Sequence, residues 1–390
     1  MFGGRALIRD QKGMVLFSSL LLVSLLLVAG MGAFISLQND YRITANLRQG
    51  TALFYVAEAG IEWAKEQIAR TANHPPTPAD RLQSFSSGTF SVTFLSSTLV
   101  APLTAKIVLR STGVAGAFSQ TVQAQVTKVY DLADGAIVLR GAGTSVGLSG
   151  NSFFVSGFDH DPVGGGVVAG VKPRPGISVS SATLRAQIEA ELGAQQNSNA
   201  ITGKSSTAIA QTDVIPSQTV TRLADELCSA PYASPVTMPP GGALSLGGEI
   251  WGSRSSPQLR CVQGFSGPGD LVSLDGNLSG AGILVVQNAQ LAVNSAFRWE
   301  GLIIVTGADV GFRVTGAQHK EVYGALIVNE TGPGVSTTPP ILALEGTVRV
   351  LYSRSAFNRA VGLLPPPTLA EAYASLPSIV TQDYWRSINP

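Results

Sequence analysis

The stretch MVLFSSLLLVSLLLVAGMGAFIS, residues 14–36, decides how the rest of the chain is read. It sits in an uncharged run from Met14 to Asn39, 26 residues between Lys12 and Asp40. That length crosses a hydrocarbon core of ~30 Å with some tilt. A secretory signal would carry an apolar region of about 7–15 residues and a small-x-small cleavage site. This run is longer, and Met31-Gly32-Ala33 fits such a site poorly. Arg5, Arg9 and Lys12 precede it, so the positive-inside rule expects a cytoplasmic N-terminus and an extracytoplasmic bulk.

Outward from the run, residues 41–70 (YRITANLRQGTALFYVAEAGIEWAKEQIAR) lack proline and keep helical spacing. Leu47, Phe54, Ala57 and Ile61 fall on one face and Glu58, Glu62 and Lys65 on another. Glu62 and Glu66 can pair with Lys65 and Arg70. Asn73-His74-Pro75-Pro76 is a strong stop. The expectation is one helix over 14–72, with 14–39 in the membrane, on the order of 85 Å long. A plain membrane anchor followed by a linker helix is the alternative.

A basic leader, residues 1–13, ends in Gly13 and the apolar helix starts at once, which looks like a prepilin signal. The segment NLRQGTALFYVAEAGIEWAKEQ (46–67) resembles the N-terminal family of PilX-type minor pilins. The matching positions are Asn46, Arg48, Ala52, Phe54, Ala57, Glu58, Ala59 and Gly60, and the similarity covers roughly residues 8–70. The resemblance implies cleavage after Gly13 by a prepilin peptidase, methylation of the new N-terminus at Met14, and packing against other pilins. Major pilins carry a glutamate as the fifth mature residue, where it neutralises a neighbour's terminal amine. Here that position is Ser18. An uncompensated ammonium is costly in lipid, so the departure implies a place at or near a filament tip, with no subunit above.

Beyond the helix, residues 80–130 alternate at a period of two, with Phe90, Val92 and Phe94 on one face and Ile107 and Leu109 repeating the pattern. Gly116-Ala117 reads as a hairpin turn. A small antiparallel sheet packed on the outer half of the helix is expected. From about Asp134 a short apolar run after a glycine recurs, starting at Gly135, Gly282, Gly301 and Gly324, the last three spaced 19 and 23 residues apart. A second short strand follows in each unit: 291–293, 310–314 and 347–351. Two strands per repeat of about 20 residues point to a β-solenoid, with an ordinary β-sandwich as the alternative. The run 277–312 also resembles solenoid-like regions found downstream of PilX-type segments in bacterial envelope proteins. The expected division is early coils at 134–180, a helical insertion at 181–230, a solenoid-like region at 242–366 and a C-terminal cap at 367–390. In the insertion Ser181 is a plausible N-cap and Gly193 a stop.

Chemistry is hard to find in this chain. Charged residues make up 13%, and glycine stands at 43 of 390 residues, a composition suited to tightly turning β structure. A net charge of +1 and the absence of a basic stripe exclude a nucleic-acid partner. There is no CxxC, HExxH or P-loop pattern and no GxSxG at a strand–helix junction, and no cofactor or catalytic residue is expected. The acidic residues of the solenoid-like region are sparse. Asp159-His160-Asp161 is the one local cluster, either a metal ligand set or a solvated turn, and the second reading is favoured; His74 and His319 read as exposed. Cys228 and Cys261 could bridge if the region is exported, closing a loop of about 30 residues for roughly 3–4 kcal/mol; two unpaired thiols are the alternative.

Together these readings predict an α+β, mainly β, protein: a long N-terminal transmembrane pilin helix, a small antiparallel sheet and a Gly-rich solenoid-like region. It would be a minor pilin, held in the inner membrane as a precursor and displayed on a pilus at the cell surface. A tip position and adhesion to a surface or glycan are further expectations. Two alternatives stay open: a tip pseudopilin of a type II secretion system, and a membrane-anchored β-solenoid enzyme acting on glycans.

Overall fold

The computed structural model describes residues 8–388 apart from 71–79, 86–87, 102–103, 131–132, 142–144, 150–151, 196–198, 205–207, 213–214, 230–232, 234, 240–241, 266–269, 333–339 and 365–377. The chain is a long helix followed by β structure, an α+β arrangement dominated by strands. Helix α1 (Ile8–Arg70) is continuous over 63 residues, about 95 Å of rise. Among the described residues its first half packs against nothing: from Met14 to Leu47 the large apolar side chains are 50–78% exposed. Burial begins at Leu53 and continues through Val56, Ala57, Ile61, Ala64 and Ile68, a single helical stripe. Leu47, grouped by periodicity with that stripe, is 66% exposed, because the sheet ends before reaching it.

The stripe packs on an antiparallel sheet of β1 (Arg81–Phe85), β2 (Gly88–Ala101), β3 (Thr104–Ala115) and β4 (Phe118–Tyr130). Phe90, Val92, Ile107 and Leu109 are buried on the helix side and Phe94 lines its margin. The two-residue turn at Gly116-Ala117 joins β3 to β4 with Gly116 at φ 62°. Helix and sheet approach closely because each contributes a glycine to the contact: a methyl on Gly60 would overlap the Ser111 hydroxyl, and one on Gly113 would lie 2.5 Å from the Leu53 carbonyl oxygen. A fifth strand, Ser378–Ile388, pairs antiparallel with β4. This corrects the expected C-terminal cap at 367–390: the described part of that segment completes the sheet beside the helix. The first part of that segment, residues 367–377, and the helix stop at residues 73–76 with His74, lie outside the described residues.

Between β4 and that fifth strand the chain builds a parallel stack. Strands Leu278–Gln287, Phe297–Gly307 and Lys320–Glu330 pair in register, so that Gly282, Gly301 and Gly324 form one column. Each has φ between 129° and 143°, which only glycine adopts freely, and a methyl on Gly324 would overlap the Gly301 carbonyl. The halves on either side of this column have different neighbours. The first halves extend to Ile250–Trp251 at one end and to Val348–Leu351, Phe153–Ser156 and Ile201–Thr202 at the other. The second halves extend to Gln258–Gln263 and Val236–Thr237, and to Ile137–Gly141, Ile177–Val179 and Ile209–Gln211. A separate parallel sheet runs Ala243–Leu246, Leu271–Leu274, Gln290–Val293, Phe312–Val314, Leu342–Leu344, Val146–Leu148.

Each repeat thus has three rows rather than two strands. Residues 348–351, read as the partner of the run after Gly324, open the next level instead, and Leu342–Leu344 takes the third row. The order along the stack also differs from the order along the chain. Strands Ile137–Gly141 and Val146–Leu148 sit against the last part of the stack, on Lys320–Glu330 and Leu342–Leu344 respectively, and not before residue 242. The segment 181–230 is not purely helical, since 201–202 and 209–211 join rows of the stack. Helix α2 (Ala182–Ala194) starts at Ser181, whose hydroxyl accepts from Thr183 N and Leu184 N, and passes through Gly193 before ending. Helices α3 (Ser217–Cys228) and α4 (Arg354–Val361) cover the outer side of the second row. Val220, Leu223, Phe357 and Ala360 bury Ile283, Ile304 and Ile327 there.

Candidate functional site

Two places carry the residues singled out from the sequence: the helix with its junction to the sheet, and the charged side of the stack.

On the helix, Ser18 is exposed and its hydroxyl donates back to the Val15 carbonyl at 3.0 Å, so it offers no charge to a neighbour. Gly13 and Met14 lie within α1, with the Met14 side chain 67% exposed. The eight motif residues divide by their place on the helix. Ala57 and Gly60 are buried against the sheet and Phe54 sits at its rim, 5.4 Å from the Trp385 ring. Glu58 and Ala59 are half-buried, while Arg48 and Ala52 face outward. Asn46 lines an apolar cleft of about 560 Å³ with Ile43, Leu47, Gly50, Phe54 and Tyr55. Lys65 pairs with Glu62 at 2.8 Å and Arg70 with Glu66 at 2.5 Å. Lys128, buried on β4, donates to the Ile68 carbonyl at 2.7 Å and so closes the last turn of α1; burial pushes its ammonium down to about 8.

On the stack, Asp159, His160 and Asp161 are each occupied. Asp159 accepts from Arg354 N at the start of α4, and the His160 ring lies between the Ser156 hydroxyl and the Gly165 carbonyl. Asp161 accepts from Val163 N and Gly164 N, which holds its carboxyl below the usual range. Among the described residues no group of three or more His, Cys, Asp or Glu side chains is arranged to hold a metal. Beside this turn lies a charged lattice that sequence reading missed. Glu300 accepts from Arg254 (2.6 Å), Arg298 and Arg359, while Glu321 accepts from Arg298 (2.9 Å) and Arg349 and contacts His319 (3.0 Å). Burial pushes the Glu300 carboxyl up, but the hydrogen bond and charge of Arg254, with the charge of Arg298, outweigh it and hold it below the usual range. The signal was available: Arg298 and Glu321 both stand three residues before a column glycine, and so pair across adjacent levels. Every carboxylate in this lattice is already matched by a cation, which suits cross-level bracing rather than acid–base chemistry.

Cys228 at the end of α3 is bridged to Cys261 in the second row. The bridge clips the helix that covers the second row onto the row itself.

No protein-family model matches the chain, and no curated protein matches it. Among solved structures it is similar to the competence-associated pilin ComZ from Thermus thermophilus, at 12% identity over 87% of this chain and 97% of that one, with a TM-score of 0.25. A score of that size does not establish a shared fold.

Proposed function

We propose that this chain is a minor pilin of the PilX kind, a non-catalytic structural subunit that begins in the inner membrane and ends in a type IV filament. One observation carries the reading. A single unbroken helix exposes its apolar first half and buries its second half on an antiparallel sheet. An isolated apolar stretch of this length is stable only in lipid or against other apolar helices. Continuity with a folded head lets one element serve both settings in turn. The leader, residues 1–13, would be removed after Gly13 on the cytoplasmic side, leaving Met14 as a methylated N-terminus.

Ser18 favours a place at the tip, where no subunit above needs a counter-charge for its amine. The same feature suits a tip pseudopilin of a type II secretion system, and filament length separates the two. A role for the stack in adhesion would follow from its display at the tip.

The test is fractionation of cells that make filaments and express the full chain with a small internal tag. The chain is expected in sheared surface filaments, in few copies, and Ser18→Glu is expected to leave piliation unchanged. A chain that remains wholly in the membrane fraction while filaments are released would refute the proposal.

A further inference from the structure

Most carboxylates buried in the parallel stack are matched. Glu300 and Glu321 face arginines, Asp159 accepts from Arg354 N and Asp270 accepts from Phe265 N. On the third row Asp275 accepts from Ser245, Ser273 and Asn294. One pair breaks this pattern. Glu330, the last residue of strand Lys320–Glu330, is 2% exposed, and its Oε1 is closed off from solvent with no hydrogen-bond partner. Asp309, half-buried in the turn after strand Phe297–Gly307, has an Oδ1 in the same condition.

Strand register brings the two together. Glu330 pairs with Gly307, two residues before Asp309, and Thr331 N donates to the Gly307 carbonyl. Gly307 and Asp309 both hold positive φ, 141° and 54°, so the chain turns sharply here into the third row. Burial, and after it the charge of Asp309, push the Glu330 carboxyl above its usual range. No protein cation answers that charge among the described residues. On the neighbouring strand the guanidinium of Arg140 is taken up by Asp134, Ser178 and the Ile215 carbonyl.

Two neighbouring carboxylates stripped of water and of partners are unfavourable as ions. A single shared proton cancels one of the two charges, whereas a divalent cation cancels both. The donors are oxygen alone, which suits calcium or magnesium rather than a softer metal. Magnesium demands near-ideal octahedral geometry and gives up its water reluctantly, so a closed carboxylate pair suits calcium better.

We propose that Glu330 and Asp309 form a calcium site at the corner between the second and third rows, with water and carbonyl oxygens completing the shell. The ion ties the end of one strand to the turn of the level beside it. With two carboxylates the affinity belongs with that of extracellular modules, a Kd of about 10⁻⁴–10⁻³ M.

The full chain in detergent, treated with a chelator and with its Cys228–Cys261 bridge intact, tests this by equilibrium dialysis against calcium chloride and by the thermal midpoint of the stack. One ion per chain is expected to bind, and the midpoint is expected to rise across about 0.1–10 mM calcium. Glu330→Gln and Asp309→Asn, both nearly isosteric, should each weaken binding at least about tenfold and erase the rise. Glu345→Gln, at the Arg313 pair of the third row, should keep both. No binding to the unaltered chain, binding that survives Glu330→Gln, or equal binding of magnesium chloride would each overturn the proposal. So would a midpoint that ignores calcium, falls as pH rises and goes flat in Glu330→Gln, the mark of a proton held by the pair.

Discussion

The helix-bound sheet and the parallel stack both depend on glycine, but for different reasons. Against the helix, Gly60 and Gly113 remove side chains so that two surfaces can approach, and neither has a positive φ. In the stack, Gly282, Gly301 and Gly324 supply a backbone conformation, repeated at three successive levels and stacked carbonyl against α-carbon. One region uses glycine as an absence of volume and the other as a permission for the chain to kink. The regions also differ in closure. The sheet draws its last strand from the far end of the chain, so the whole stack is an insertion between neighbouring strands β4 and Ser378–Ile388. The four tryptophans divide evenly, Trp63 and Trp385 beside the helix, Trp251 and Trp299 in the stack, so fluorescence of variants can follow each region alone.

The sharpest way to break the comparison is to give the column a side chain. Gly301→Val places branched atoms on the Gly282 carbonyl and forces a φ of 143° on a β-branched residue. The stack should lose at least about 4 kcal/mol, or fail to form, in chemical denaturation, while the Trp63 signal keeps its midpoint. Replacing both Cys228 and Cys261 by serine should cost about 3–4 kcal/mol, for a sequence separation of 33, and again only in the stack. Unfolding under reducing and non-reducing conditions reads this directly.

The head has its own signature, set by Lys128. Folding lowers this lysine from 10.5 to about 8, so between those values the unfolded chain holds more protons than the folded one. Stability of the head should therefore rise as pH climbs from about 8 towards 10.5, with no contribution gained below 8. Lys128→Met should flatten that slope in thermal melts recorded across this window. The smallest effect is expected at the helix surface. Glu62→Ala removes an exposed ion pair and should change stability by no more than about 0.5 kcal/mol.

Much of this architecture was legible in the residues, and the exceptions have a common cause. The uncharged run, the helix beyond it, the alternation through Phe90 to Val126 and the glycine-led apolar runs are all local patterns, and each names its element. What could not be read was the choice of partner. The strand Ile137–Gly141 looks like its successors, yet it stacks on Lys320–Glu330, nearly two hundred residues later, because α3 first carries the chain to the opposite end of the stack. The last strand carries its apolar residues in adjacent pairs, Ile379-Val380 and Tyr384-Trp385, without a clean period of two, and nothing in residues 378–388 says which sheet they join. At the charged lattice the information was present in the offset of Arg298 and Glu321 from their glycines, but it shows only once three rows are recognised.

The account rests on α1 being a lipid-held segment that becomes a filament's inner element after its leader is removed. Intact-mass and N-terminal peptide mass spectrometry of the chain recovered from filament-bearing cells tests this most directly. The expected species begins at Met14 and carries one added methyl on its amine. A chain that still starts at Met1, or one trimmed near Ala33 and free of the membrane, would contradict it.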